Sequence, residues 1–263
     1  MNSETQQLIE RKIIQSNHKR IIPLVINNET VWIKHTEAAK KNSWHRIQNI
    51  FAKLLKLELL RSTAINKRAL HPIKAEANRL KKLNSHNIHV PKVLAESDDW
   101  IVLSDLGMTV SKIIKKVTEQ EKTAIIVACV TALANLHRQS RWHGRPALRD
   151  LTYDKGVVGF IDFEEDVSSA MSLPARQARD AILFFHNLVR YCPFESKPTQ
   201  KAIETYLNIA PQSVVNEVEK FYFKSQIIKR FCAKISALNK REITQTIGLY
   251  NCLNTMIQHK QLA

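Results

Sequence analysis

One short β-hairpin signal, set in an otherwise helical half, constrains this chain more than any other feature. Residues 151–161 read LTYDKGVVGFI. β-forming residues flank Asp154-Lys155-Gly156, which supplies the turn. In an antiparallel hairpin the start of the first strand meets the end of the second, with paired Cα atoms about 5 Å apart. Asp150 lies just before the first strand and Asp162 just after the second, so two carboxylates meet at the open end. Glu164, Glu165 and Asp166 follow at once. Crowded carboxylates repel, and a bound cation relieves the repulsion; Mg²⁺ is typically held by one or two carboxylates plus substrate phosphates. An exposed acidic loop that balances nearby Arg and Lys is the other reading of the cluster.

The preceding half is mixed. Residues 21–35 give two apolar runs around Asn27-Asn28-Glu29, a hairpin with Lys34 near the end of its second strand. Trp32 and Lys34 lie two apart and share a face. Over 43–63, Ser43 caps a helix in which Ile47, Ile50, Phe51, Leu54 and Leu55 recur at helical spacing, interleaved with Arg46, Lys53 and Lys56. A further helix over about 72–83 starts at Pro72 and carries Glu76, Leu80 and Leu83. Residues 89–94 and 100–103 read as strands, with Ser97-Asp98-Asp99 turning between them. Ser104-Asp105-Leu106-Gly107 then breaks the pattern. Helices are expected at roughly 109–116, 119–138, 174–191, 198–208, 211–238 and 240–259. The division falls at 1–105 and 106–263, an α+β fold of a small β-rich lobe with an inserted amphipathic helix and a larger helical lobe.

Composition narrows the class. At 263 residues and 44% hydrophobic, the chain can bury one large core or two modest ones. Only 5 glycines argue against an all-β protein with many tight turns. The formal net charge of +16 attracts polyanions: nucleic acid, anionic lipid, phosphorylated sugars or nucleotides. Cys129, Cys192, Cys232 and Cys252 form no C-x-x-C pair and sit in apolar, helix-like surroundings, which fits a reducing compartment such as the cytoplasm. Residues 1–20 contain no apolar core of a secretory signal, and no uncharged apolar run approaches ~18 residues.

Strand lysine, helix glutamate, His-Gly loop and Ile-Asp-Phe, in that order, resemble the protein-kinase-like superfamily. Within it the chain is most similar to bacterial lipopolysaccharide-core (Kdo/heptose) sugar kinases and their small relatives. The resemblance spans roughly 22–190 and is carried by five motifs together. V-W-I-K stands at the V-A-I-K strand, so Lys34 would grip the α- and β-phosphates of ATP. Glu76, in IKAEANRLKKL, matches the helix glutamate that pairs with this lysine. IVLSDLG resembles the hinge beside the adenine, which brings Asp105 to the nucleotide. Ile161-Asp162-Phe163-Glu164 matches the metal-binding Asp-Phe-Gly position, with Glu replacing Gly. Asp180, in RQARDAILFF, matches the aspartate that braces the catalytic loop. ATP and Mg²⁺ are the cofactors this implies, with a hydroxyl on an anionic sugar or glycolipid as acceptor.

Two departures stand out. No G-x-G-x-x-G precedes Lys34; every glycine lies at 107 or beyond. In the catalytic loop the expected base, two residues after His143, is replaced by Arg145, and the expected Asn is Asp150. Phosphoryl transfer depends mainly on positioning and electrostatics, and a general base contributes about 10²–10⁴-fold. Two readings follow. In an active kinase either Asp150 serves as base or Arg145 stabilises charge on the transferring phosphoryl group, and Asp150 at the Asn position can still ligate the metal. In a pseudokinase or membrane-associated scaffold, nucleotide binds without turnover.

His143 is read either as a general acid or base, or as packing the loop against the metal-binding turn, its usual role in this fold. The basic helix near 44–60 either packs on the small lobe or lies on an anionic membrane, which suits an enzyme at the inner leaflet of the inner membrane. Lys220, Lys224, Lys229, Arg230, Lys234, Lys240 and Arg241 could meet phosphates. Phe221, Tyr222, Phe223 and Phe231 read as core rather than stacking platforms, which argues against specific nucleic-acid recognition.

Overall fold

The computed structural model describes residues 3–16, 19–26, 28–36, 72–163, 171–234 and 241–262. The basic helix expected over 43–63 lies outside them, as do Asn27, Glu164, Glu165 and Asp166.

Helix α1 (Ser3–Gln15) precedes strands β1 (Ile21–Ile26) and β2 (Glu29–His35); helix α2 (Pro72–Asn84) is followed by β3 (Val93–Glu96) and β4 (Trp100–Ser104). The strands form one antiparallel sheet in the order β1-β2-β4-β3. Its alternation is the period of a pleated strand. Ile22, Leu24, Val31, Ile33, Trp100 and Val102 face one side, where Ile9 of α1 completes a small core. Ile9 and Ile33 are 0% exposed, and such burial contributes roughly 1.5–3 kcal/mol each. Lys34, Trp32, Ile101 and Leu103 face the other side, and α2 packs against β3 and β4.

At the sheet edge, His35 N–H donates to Arg20 O. Alternation then turns the backbone groups of Ile21, Pro23 and Val25 outward. Proline costs no ladder bond there and blunts the edge against a further strand.

The remainder is helical apart from one hairpin. Helices α3 (Val110–Ile113), α4 (Glu119–Arg138), α5 (Leu173–Leu188), α6 (Lys197–Ile209), α7 (Gln212–Lys224), α8 (Gln226–Lys234) and α9 (Arg241–Leu262) surround β5 (Leu151–Asp154) and β6 (Val157–Phe160). Thr118 and Glu121 form a capping box at the start of α4. Helix α4 packs on α6 and α5 on α7, with α9 laid across them. The small α+β lobe and the larger helical lobe expected from the sequence are both present.

Four local readings are corrected. Residues 1–20, where no element was expected, contain α1, because Ile9 and Ile13 recur one turn apart and dock on the sheet. The strand expected at 89–94 begins only at Val93: Phe160 N–H donates to His89 O and Ser104 N–H to Lys92 O, which holds 89–92 as an extended link. The helix expected at 109–116 is limited to Val110–Ile113. The helix expected over 211–238 breaks at Ser225. Its hydroxyl donates to Phe221 O (2.7 Å), and its carbonyl accepts from Tyr250 Oη (2.8 Å) in competition with the helical ladder. Among the described residues no helix is long and apolar enough to cross a membrane.

Candidate active site

Lys34 projects from β2 between Ile21 of β1 and Ile101 of β4. It is 3% exposed, and a buried ammonium is tolerated only with partners. Glu76 Oε1 of α2 lies 2.8 Å from Nζ, and Asp162 Oδ1, just past β6, lies 3.0 Å away. Strand, helix and hairpin thus converge on one amine.

The hairpin places the second carboxylate. Leu151 pairs with Phe160, and Ile161 N–H donates to Asp150 O at 2.9 Å, so Asp150 and Asp162 come together at the open end. Lys155 (φ 44°) and Gly156 (φ 90°) make the two-residue loop, both left-handed as a type I′ turn requires. Gly159 allows close packing beneath, since a Cβ there would lie 2.6 Å from Thr152 Oγ1 and 2.8 Å from Leu106 Cδ1. Asp162 itself is left-handed at φ 69°, a conformation that Asp tolerates better than most residues.

Asp150 is buried, and its Oδ2 has no hydrogen-bond partner. Burial, then the nearby Asp162 charge, push its carboxyl up to about 7, against the lowering pull of Arg149 and Arg145. Arg149 Nε is 3.4 Å from Asp150 Oδ1, and Arg145 Nη2 is 3.6 Å from Asp162 Oδ2. An orphaned carboxylate oxygen beside a second carboxylate fits a hard divalent cation, which takes one or two such ligands with phosphates completing its shell. Among the described residues no cluster of three His, Cys, Asp or Glu side chains could hold a metal by itself.

His143 sits behind the cleft, 1% exposed. The Ile161 carbonyl can only accept, so Nε2–H donates to it (2.9 Å), and Nδ1 accepts from Arg145 N–H (3.3 Å). The ring stacks at 4.5 Å on Phe163. Burial holds its pKa down at about 4 despite the nearby Asp180. Both nitrogens are thus engaged by backbone, which favours the packing role over acid–base work.

Asp180 of α5 is 0% exposed and receives the backbone N–H groups of both His143 and Gly144, the latter at 2.8 Å. Gly144 stands at φ 111°, so glycine is needed for this turn. Burial alone would raise Asp180; contacts with His137, the His143 charge and the His143 N–H outweigh it and hold the carboxyl below its usual range.

Asp105 follows β4 and accepts from Trp32 Nε1 at 2.8 Å. A cavity of about 640 Å³ borders Asp105, with Val31, Ile88, Val90 and Lys92 among its walls; Lys34 and Asp162 are not among them.

Arg79, which was not among the candidate residues, ties the site together. One turn along α2 from Glu76, it donates to Trp142 O (2.9 Å), His143 O (3.0 Å) and Phe163 O (3.1 Å). Its guanidinium lies 5.3 Å from the Trp142 ring and 5.1 Å from the Phe163 ring. The i, i+3 spacing of Glu76 and Arg79 was a signal that both serve the same face.

No family model matches the chain. It is similar to a Haemophilus influenzae protein named only as uncharacterized: 34% identical over 195 residues, 72% of this chain and 71% of that one. Among solved structures it is similar to the gentamicin complex of APH(2")-IIa (12% identity, TM-score 0.41, 96% of this chain and 98% of that one). It is also similar to the kinase PK-1 of Cydia pomonella granulovirus (14%, TM-score 0.30, 62% of this chain) and to vaccinia related kinase 3 (15%, TM-score 0.30, 72% of this chain). The chain spans 56% of the former kinase and 66% of the latter. With TM-scores below 0.5, none of these three likenesses carries an inference about activity.

Proposed function

Since the chain belongs to the family of the uncharacterized Haemophilus influenzae protein, we propose its function from the cleft itself: phosphoryl transfer from a Mg²⁺-bound nucleoside triphosphate, ATP in the first instance, to a hydroxyl acceptor. The observation that carries this reading is the Lys34 amine bridging Glu76 and Asp162, drawn from three separate segments of a protein-kinase-like fold.

In this reading Lys34 holds phosphate oxygens, and Glu76 fixes the amine. Asp162 and Asp150 hold Mg²⁺, which when bound neutralises charge on the phosphates. The acceptor oxygen forms a bond to the terminal phosphorus as the bond to the bridging oxygen breaks. The acceptor proton passes to Asp150, a buried carboxylate at the open end of the hairpin. Arg145, facing the same space, stabilises charge on the transferring group. Asp180 braces the loop through its two N–H contacts. Lobes of about 1–105 and 106–263 meet at this cleft. The +16 charge and the sequence resemblance support an anionic sugar or glycolipid acceptor, of the lipopolysaccharide core class, met at a membrane surface.

A second reading, nucleotide binding without turnover, is favoured by Arg145, a cation at the position of the usual base and paired with Asp162. Thermal shift with Mg-ATP followed by a turnover assay separates the two. Asp162→Ala is expected to abolish both signals, and unchanged ATP hydrolysis in that variant would refute the assignment.

A further inference from the structure

Helices α7 and α8 meet at Ser225, and residues 220–234 around that junction read KFYFKSQIIKRFCAK, with five cations and no carboxylate. Sequence alone places Phe223 in the core with its aromatic neighbours. The structure turns it out: Phe223 is 57% exposed and Ile227 61%, while Phe221 and Tyr222 are buried. The inner side is pinned to α9, where Tyr222 Oη donates to Asn254 Oδ1 (2.8 Å) and Tyr250 Oη donates to the Ser225 carbonyl (2.8 Å). Those two bonds fix which side faces out.

Ser225 N–H donates to Phe221 O (3.0 Å) and Ile228 N–H to Ser225 O (2.9 Å), so the chain keeps winding through the break. Phe223 and Ile227, one turn apart, therefore stand as neighbours. On α8 the residues Ile227, Arg230 and Lys234 recur at helical spacing and form one stripe. Lys224, Arg230 and Lys234 are exposed. Lys220 is held by Glu217 (2.6 Å), and Lys229 lies 5.9 Å from the Tyr222 ring. Two large apolar side chains thus project among cations.

Single apolar residues scattered on a surface need no explanation, but a neighbouring pair set in a basic face does. Apolar side chains that dip below the headgroups while Lys and Arg meet the phosphates are the pattern of a helix lying in a membrane interface. Anionic lipid supplies the charge that this face lacks. Other occupants fit less well. Ile227 has no π-face on which a base could stack, and a second copy would set the same cations face to face across a two-fold axis.

We propose that Phe223 and Ile227, with Lys224, Arg230 and Lys234, dock the large lobe on an anionic lipid surface. This gives the membrane encounter of the proposed function a defined face, but it rests on none of the catalytic assignments.

The test is co-sedimentation of the full chain, without nucleotide, with vesicles of phosphatidylcholine alone or mixed in equal parts with phosphatidylglycerol. Binding is expected to the mixed vesicles only and should weaken as salt is raised. Lys224→Gln with Arg230→Gln should weaken it roughly tenfold or more, and Phe223→Ser with Ile227→Ser roughly tenfold. Phe223→Leu with Ile227→Leu keeps the apolar area and should stay within about threefold of the parent. All three double variants should melt with the parent, because these side chains are on the surface. Parent binding that is equal on both vesicle types, or absent from both, overturns the proposal. So does parent-level binding by the serine variant, which would mean a purely electrostatic contact. Tighter binding to polyuridylic acid than to mixed vesicles, lost in the glutamine variant, would make this a nucleic-acid surface instead. A parent dimer in light scattering that the serine variant dissolves would make it a subunit interface. Either result overturns the lipid assignment. A parent that binds mixed vesicles but shows no thermal shift with Mg-ATP refutes the nucleotide assignment and leaves this face standing.

Discussion

Lys34 Nζ lies 3.0 Å from Asp162 Oδ1, joining residues 128 positions apart. The same amine lies 2.8 Å from Glu76 Oε1, 42 positions away. Both Lys34 and Glu76 are nearly solvent-free. Removing the lysine strands a buried carboxylate, which costs about 3–5 kcal/mol. Lys34→Met is therefore expected to lower the urea unfolding free energy by that amount and to abolish the nucleotide-induced thermal shift. Adding Glu76→Gln should restore part of the stability and none of the binding. Additive losses in the double variant would show that the two groups do not act as a pair.

Asp150 contributes with the opposite sign. Burial and the neighbouring Asp162 push its carboxyl up to about 7 in the fold, against 3.8 for an ordinary aspartate. The folded state therefore favours the protonated form. Its stability contribution is lost as pH rises from about 4 to 7 and is level above that. Asp150→Asn removes the penalty. Without metal the variant should melt higher than the parent, by more at pH 8 than at pH 5, and it should lose the Mg²⁺-dependent part of nucleotide binding. Equal melting temperatures of parent and variant at pH 8 would contradict the buried, ionised assignment.

Arg79 spans both site loops from one side chain. Lysine there could keep the charge but not three carbonyl contacts and two ring faces. Arg79→Lys is expected to lower stability by about 2–3 kcal/mol and kcat by more than about tenfold, with nucleotide Kd nearly unchanged because Lys34 and Glu76 stay in place. A fall in nucleotide affinity as large as the fall in kcat would place the defect in the small lobe instead.

The sequence exposed the parts whose signals are local. The Lys155-Gly156 turn and the flanking β-formers located the hairpin, and its geometry alone brought Asp150 to Asp162. Alternation around Trp32 and Lys34 gave β2 its face. What stayed hidden depends on partners distant in the chain. Helix α1 has only Ile9 and Ile13 to show, and their value appears once the sheet's outer face needs cover. Ser225 breaks a helix because Tyr250 takes its carbonyl, an event with no trace in the surrounding residues. The role of Arg79 has no sequence signal of its own, since its acceptors are backbone carbonyls and carbonyls have no sequence identity. The bond from Trp32 to Asp105 was hidden for a similar reason: neither residue type specifies the other across 73 positions.

His143 supplies a pH signature that separates packing from acid–base work. Burial holds the ring's pKa down at about 4, against 6.5 for an ordinary histidine. The unfolded chain thus binds the proton more readily. The contribution of His143 to stability is complete above pH 6.5 and is lost as pH falls from there toward 4. Over that span the shift corresponds to about 3 kcal/mol. Asp180, Arg79 and Asp162 also act on the ring, so the comparison must be with a variant that leaves them in place. His143→Gln is expected to be less stable than the parent at pH 7.5, because it gives up the fit against Phe163, yet to lose less on acidification. Urea unfolding at pH 7.5, 6, 5 and 4.5 would read the two slopes. Parallel acid limbs would mean that the imidazole is not held neutral. A residual turnover in His143→Gln that keeps the parent's pH profile in the neutral range would show that the proton of the transfer step goes elsewhere, as the assignment to Asp150 requires.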